Sequence, residues 1–310
     1  MELSYQRSFV DDAPSIGGGD GSKLYVVATP IGNLADITSR ALDILQGVDL
    51  IVAEDTRRTR KLLSHYGLHT PLARYDGRGG EARILEPMMS RGHNVALVTD
   101  AGTPTISDPG NALVRAAVDA GIRVVTIPGP CAMVAALAAS GLATHSFLFG
   151  GFLPRKATAR CARLQEMQFV PATLVFYESP QRLLQTLSDI ANVLGDRPVA
   201  IARELTKYYE TWWRGPLSKV MEMLREGTRM RGECTIVVEG RVAGEGPPVP
   251  PSSVPVSIEQ AVREELALGK VPRQAFKDVA RRLGLSRREV YQRYHGLGIG
   301  RGEEDDPEGG

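Results

Sequence analysis

At 310 residues the chain is longer than one hydrophobic core usually supports, so two or three packed units are expected. Hydrophobic residues at 43% and charged residues at 24% exclude a mostly disordered chain, and no run of about 18 apolar residues offers a transmembrane helix. The net charge of +1, from 37 basic and 36 acidic side chains, excludes a molecule-wide basic field, so any polyanion contact has to come from local clustering. Three widely spaced cysteines, Cys131, Cys161 and Cys234, without a CxxC, fit neither a disulfide framework nor a zinc site. They fit a reducing cytoplasm.

Residues 1–22 carry acidic side chains and a glycine-rich run but no apolar signal core, and read as a disordered extension. From Lys23 the texture changes. Leu24–Ala28 is an apolar run of strand length, followed by the turn Thr29-Pro30-Ile31-Gly32-Asn33. Helical spacing follows from Asp36, a candidate cap, to Gln46. Leu50–Ala53, Val95–Thr99 and Ile122–Ile127 repeat the strand signal, with helical patterns between them. Such alternation defines an α/β unit on a mainly parallel sheet, assigned to residues 23–128.

A second cycle, residues 129–241, carries strand signals at 147–149, 173–177, 198–202 and 234–238 and helical ones at 157–168, 180–194 and 216–226. The Ala-rich stretch from Cys131 to Leu142 reads as a buried helix. Residues 242–256 form a Pro/Gly linker. Residues 257–300 follow as a helical, helix-turn-helix-like unit. Ser257 with Gln260 and Ser286 with Glu289 are capping-box pairs, Pro272 suits a first turn, and Ala275, Phe276, Val279, Ala280 and Leu283 form one apolar face. Between Lys270 and Arg301 stand nine basic residues against two acidic ones, and the acidic tail 301–310 reads as disordered.

The chemistry concentrates in loops that follow strands. Thr99–Gly110 (TDAGTPTISDPG), Thr29–Asn33, Pro128–Ala132 and Tyr177–Pro180 each do so, and in α/β sheets ligands sit beyond the carboxyl ends of strands. One such loop is a tight turn more often than a site; four together favour a shared crevice. GxGxxG, GxxxxGK[ST] and GxSxG are missing, which disfavours dinucleotides, P-loop triphosphates and acyl-serine chemistry. His65 and His69, four apart across a glycine, lack a third ligand, so no metal is expected. After the second strand come the carboxylates Glu54 and Asp55, then the cations Arg57, Arg58, Arg60 and Lys61. Cations at a helix N-terminus oppose its dipole, a locally unhelpful choice that raises the odds of polyanion binding.

Six stretches in order, YVVATPIGN from Tyr25, AEDTRRTRK from Ala53, DAGTPTISDPG from Asp100, GFLPRK from Gly151, FYESPQR from Phe176 and ARELTK from Ala202, resemble the ribosomal RNA small-subunit methyltransferases of the tetrapyrrole methylase superfamily. That resemblance implies a homodimer of two-domain α/β subunits with S-adenosylmethionine in the cleft between the domains. The implied activity is 2′-O-methylation of a cytidine in the decoding centre of 16S rRNA, on the 30S subunit. It places the cofactor against Pro30, Ala101, Gly102, Thr103, Ile106, Cys131, Ala132 and Glu178. Glu54 matches a carboxylate with an acid/base role in tetrapyrrole-modifying relatives. The sequence departs from the family at Cys131 (commonly serine), Gln181 (commonly basic or imidazole) and Tyr75–Gly80 (a histidine- and asparagine-bearing stretch).

Methyl transfer to a hydroxyl needs a proton acceptor, and Glu54, Asp55 and Asp100 are the candidates, each also a plausible cap. For RNA the candidates are Arg57, Arg58, Arg60, Lys61, Lys156 and Arg203 near the cleft, with Arg287 and Arg288 in the helical unit. Two rival readings share these features: a tetrapyrrole C-methyltransferase on the same scaffold, and a DNA-binding regulator with an α/β sensor body.

Overall fold

The computed structural model describes residues 21–226, 231–241, 258–267, 270–283 and 285–295. The chain divides into two compact units, one reaching Ala243 and one beginning at Gly244.

In the first unit, the opening half runs β1 (Lys23–Val27), α1 (Ser39–Gly47), β2 (Leu50–Ala53), α2 (Thr56–His65), β3 (Leu72–Arg74), α3 (Glu81–Arg91), β4 (Val95–Val98), α4 (Asn111–Asp119) and β5 (Arg123–Ile127). The strands form one parallel sheet in the order β3-β2-β4-β1-β5. Two apolar clusters account for the near-continuous Val/Ile/Leu strands: Leu45, Ile51 and Val98 on one face, Met88, Leu97 and Leu113 on the other. All five strands end at one edge of the sheet, so the loops after them gather there.

The other half runs α5 (Ala132–Ala139), β6 (Phe147–Phe152), α6 (Ala157–Met167), β7 (Thr173–Glu178), α7 (Pro180–Leu194), β8 (Pro198–Arg203), β9 (Thr211–Pro216), α8 (Leu217–Glu226) and β10 (Cys234–Val238). Its sheet, β6-β7-β10-β8-β9, is mixed: β6 pairs with β7 in parallel, β10 lies antiparallel between β7 and β8, and β9 pairs antiparallel with β8. The amino end of β10 therefore adjoins the carboxyl ends of β7 and β8, with Cys234 paired to both Glu178 and Arg203.

Two local expectations are corrected. Asp36 does not cap α1; it closes a 3-10 turn, Leu34–Asp36, and Thr38 is the cap, its side chain accepting the Ala41 N–H at 3.1 Å. Nor is α5 buried all round. Ala136 and Leu137 pack on β7, β8 and β10, while Val134 is 52% exposed on the opposite side.

The second unit comprises α9 (Ile258–Ala267), α10 (Pro272–Leu283) and α11 (Arg287–Tyr294). Ala261, Val262, Phe276, Val279, Ala280 and Val290 form its core. The Ser286–Glu289 capping box makes both of its hydrogen bonds. Ser257 and the segments 1–20, 242–257 and 296–310 lie outside the described residues, as do the side chains of Leu283 and Arg288.

Candidate active site

A cleft of about 380 Å³ opens where the strand ends of the two sheets meet, within the usual range for small-molecule sites. The first sheet contributes Ile31 after β1, Glu54 after β2 and Asp100–Thr103 with Ile106–Asp108 after β4, and the second contributes Tyr177 and Glu178 at the end of β7. Cross-bonds fix the loops. Thr29 and Gly102 exchange backbone hydrogen bonds at 2.9 and 3.0 Å, the Thr29 hydroxyl donates to the Thr99 carbonyl, and the Thr103 hydroxyl donates to the Pro130 carbonyl. The fourth loop joins through the Met133 N–H, which donates to the Tyr177 hydroxyl at 3.0 Å. The four loops do converge.

The TDAGTPTISDPG loop holds unusual backbone. Thr105 (φ 74°) and Ser107 (φ 66°) occupy the left-handed region without being glycine, a strain of roughly 1–3 kcal/mol each that typically persists at binding sites. Gly110 (φ 134°) has no alternative, since a Cβ there would stand 2.8 Å from a Leu97 methyl.

Of the residues implied to hold the cofactor, Ala101, Gly102, Thr103 and Ile106 line the cleft from the first sheet, and Cys131, Ala132 and Glu178 line it from the other side. Pro30 does not; it lines a neighbouring crevice of about 320 Å³ with Gly32, Lys61 and His65. Arg58 and Asp100 border both hollows. Glu178 is buried and already engaged: its carboxylate accepts from the Ser179 N–H at 2.8 Å and the Thr186 hydroxyl at 2.7 Å, and pairs with Arg182 at 3.3 Å. These bonds fix the start of α7 against the cleft.

The three candidate bases separate. Asp55 caps α2, accepting from the Arg57 N–H and pairing with the Arg57 guanidinium, which holds its carboxyl well below the ordinary range; it does not line the cleft. Asp100 accepts the Asp55 N–H and lies 3.5 Å from Arg58. Glu54 lines the cleft with no hydrogen bond or ion pair among the described residues. Sequence reasoning passed over Asp108, although it quoted the motif containing it. Burial, reinforced by the carboxylates of Glu54, Asp100 and Glu233, pushes the Asp108 carboxyl up to about 6. Burial likewise raises the Cys234 thiol to about 12, so that side chain is a neutral wall.

Among the candidate RNA contacts, Arg57, Arg58, Arg60 and Lys61 are exposed along α2, Arg57 paired to Asp55 as above. Lys156 is exposed at the N-cap of α6. Its loop is held by two arginines: buried Arg160 donates to the Pro154 and Arg155 carbonyls, and Arg182 to those of Leu153 and Pro154. Arg203 is less free, its Nε donating to the Arg231 carbonyl at 2.9 Å. Arg287 is exposed in the separate helical unit. At the positions departing from the family, Gln181 is exposed on α7, and Tyr75 is buried with its hydroxyl donating to Glu81 at 2.7 Å.

Two α/β sheets sharing a cleft at their strand ends define the class: residues 23–221 match the family described as Tetrapyrrole (Corrin/Porphyrin) Methylases. Solved structures agree at the level of fold. A cobalt precorrin-4 methyltransferase superposes with a TM-score of 0.53 at 19% identity, over 70% of this chain and 94% of its own. The methyltransferase CobJ gives 0.52 at 21%, over 72% and 97%. Curated relatives are more similar in sequence. The ribosomal RNA small subunit methyltransferase I of Halalkalibacterium halodurans is 46% identical over 282 residues, covering 89% of this chain and 96% of the relative. That of Escherichia coli O157:H7 is 50% identical over 227 residues, covering 72% and 79%. The chain belongs to the ribosomal RNA small subunit methyltransferase I family, a branch of the tetrapyrrole methylases.

Proposed function

We propose that this protein methylates the ribose 2′-oxygen of a cytidine in the decoding centre of 16S rRNA, using S-adenosylmethionine, on the assembled 30S subunit and as a homodimer in the cytoplasm. One observation carries the reading: the cleft fit for a small cofactor opens beside the cationic helix α2, whose exposed Arg58 lines both the cleft and the adjoining crevice and whose Lys61 lines the crevice. A tetrapyrrole is small and needs no such cationic helix, nor a further basic helical unit. Among the described residues no helix is long and apolar enough to cross a membrane.

The cleft suits the cofactor on its own chemistry. Small side chains at Ala101, Gly102 and Ala132 admit a close backbone approach, and five carboxylates, Glu54, Asp100, Asp108, Glu178 and Glu233, line a volume where a sulfonium cation is electrostatically favoured. Held there, S-adenosylmethionine would supply an electrophilic methyl group to the ribose oxygen, its sulfur leaving as a neutral thioether. The hydroxyl proton leaves to a carboxylate, and Glu54 is the one we assign, being unengaged in the cleft wall. Asp100 positions the start of α2, and Arg58, bordering both hollows, orients a phosphate of the incoming strand.

The test incubates purified protein with methyl-tritiated S-adenosylmethionine and, separately, naked 16S rRNA, 30S subunits, a porphyrinogen and duplex DNA. Label at a cytidine ribose in 30S subunits supports the reading; label in the porphyrinogen, or tight duplex binding without transfer, overturns it in favour of a rival.

A further inference from the structure

The segment between β8 and β9, residues 204–210, is walled into place and yet spends two aromatic rings on solvent. Glu204 (φ 54°) and Thr206 (φ 65°) are left-handed without being glycine, so the backbone is held against its preference. What holds it is a closed set of bonds. Lys207 Nζ donates to Glu204 at 2.8 Å and Glu233 at 3.1 Å. The Thr206 N–H donates to Glu210 at 2.7 Å, and Glu210 in turn accepts from the Trp212 indole at 2.8 Å. Lys207 also lies so close over Gly32 of the first half that a Cβ there would come within 2.4 Å of its Cγ.

On this fixed loop Tyr208 is 93% exposed and Tyr209 72% exposed, their rings edge to face with centroids 4.9 Å apart. Neither ring contributes appreciably to a core. Leu205 and Glu233, both part of the loop's framework, line the active-site cleft. Tyr208 is three residues from Leu205, so its backbone is within about 10 Å of the cleft wall along the chain. A locked backbone costs a ligand little ordering entropy, and open aromatic faces are what unstacked bases use as platforms.

We propose that Tyr208 and Tyr209 form a stacking platform for unpaired nucleobases next to the methylated nucleotide, holding the RNA strand splayed so that one ribose enters the cleft. The inference rests on the rRNA methyltransferase reading for its substrate class. It differs from the electrostatic contacts of α2 in kind: stacking on a ring face depends weakly on salt, whereas phosphate contacts weaken steeply as salt rises.

The full-length protein, its Tyr208→Ala/Tyr209→Ala variant and its Tyr208→Phe/Tyr209→Phe variant would be compared. The readouts are binding of a fluorescein-labelled, unstructured oligoribonucleotide and steady-state methylation of 30S subunits, with cofactor affinity and sedimentation as controls. The alanine pair should lose roughly 10-fold in oligonucleotide affinity per ring and raise KM for the RNA similarly, at unchanged kcat and cofactor affinity. The phenylalanine pair should match the wild type, because the ring face and not the hydroxyl carries the contact. Wild-type affinity in the alanine pair, an equal loss in the phenylalanine pair, or no oligonucleotide binding by the wild type would overturn the platform. So would a change of oligomeric state accompanying the loss, which would make the rings a subunit contact. Oligonucleotide binding that depends on the rings, without methyl transfer to any RNA, would instead sink the enzyme reading and leave the platform standing.

Discussion

The Asp55 backbone N–H donates to Oδ1 of Asp100 at 3.1 Å, so the carboxylate that ends one parallel strand holds the residue that caps the helix after its neighbour. Asp100 also reaches Arg58 at 3.5 Å. One side chain thereby sets both the cleft wall and the first turn of α2. Asp100→Asn keeps an oxygen that can accept from Asp55 and loses the charge; Asp100→Ala loses both. Activity per RNA encounter, kcat/KM, should fall about 10-fold in Asp100→Asn and about 100-fold in Asp100→Ala, with thermal midpoints close to wild type. Equal losses in the two variants would show that the charge alone matters and that the Asp55 contact is idle.

Asp108 makes a prediction with a defined sign. Its carboxyl titrates at about 6 in the folded protein against an ordinary value of 3.8. The folded state therefore holds this proton more tightly than the unfolded chain does. That contribution to stability is fully present below pH 3.8 and is lost as pH rises through about 6. Above that range an ionised, half-buried Asp108 destabilises the fold, so Asp108→Asn should raise the thermal midpoint at pH 8 and raise it only about half as much at pH 5, where the loss is still in progress. Cofactor affinity should move oppositely, since the ionised form faces a sulfonium: wild-type affinity falls as pH drops below 6, and the Asn variant shows weaker, pH-flat binding. Scanning fluorimetry and calorimetry at the two pH values check both halves, and a midpoint rise of equal size at both would refute the assignment.

Much of this architecture was legible because burial on two faces leaves a mark. β2 is an uninterrupted apolar run and β10 is broken only by Thr235, and the sequence pattern places the boundaries of both to the residue. β3 and β9 left no such mark: the first has three residues, and the second, Thr211–Pro216, is an edge strand whose tryptophans are only half covered. The site was legible where strands run forward, because the carboxyl-end rule finds loops such as Thr99–Gly110. It failed for Gly232–Thr235, which enter the cleft at the amino end of a strand running the other way. Arg160 was equally invisible, since an arginine in a polar-looking helix gives no sign of being wholly buried.

That arginine should be expensive to remove. Its Nε donates to Asp189 at 2.6 Å, and its Nη1 donates to the carbonyls of Pro154 at 3.2 Å and Arg155 at 3.0 Å. Arg160→Met strands a mostly buried carboxylate and two carbonyls, a loss of about 3–5 kcal/mol. Arg160→Met with Asp189→Leu removes both charges and should recover a large part of it. Urea unfolding of the two single variants and the pair measures the coupling. If Arg160→Met alone unfolds at the wild-type urea concentration, the pair does not brace the Lys156 loop.

The cations of α2 should divide by whether a carboxylate already holds them. Arg57 is bound through two nitrogens to Asp55, at 3.0 and 2.7 Å, whereas Arg60 and Lys61 are exposed and make no ion pair among the described residues. Phosphate contacts release counterions, so each lost contact lowers the dependence of log affinity on log salt by about 0.7 for single-stranded RNA and 0.9 for duplex. Arg60→Ala with Lys61→Ala should therefore flatten the slope by about 1.4 to 1.8 and weaken rRNA binding at low salt. Cofactor affinity should not change, because neither side chain lines the cofactor cleft. Arg57→Ala, which also frees the Asp55 carboxylate, should change the slope by one contact, about 0.7 to 0.9, only if the strand displaces that pair. Filter binding of rRNA across a salt series separates the cases, and a slope unchanged in the Arg60/Lys61 double variant would move the RNA path away from this helix.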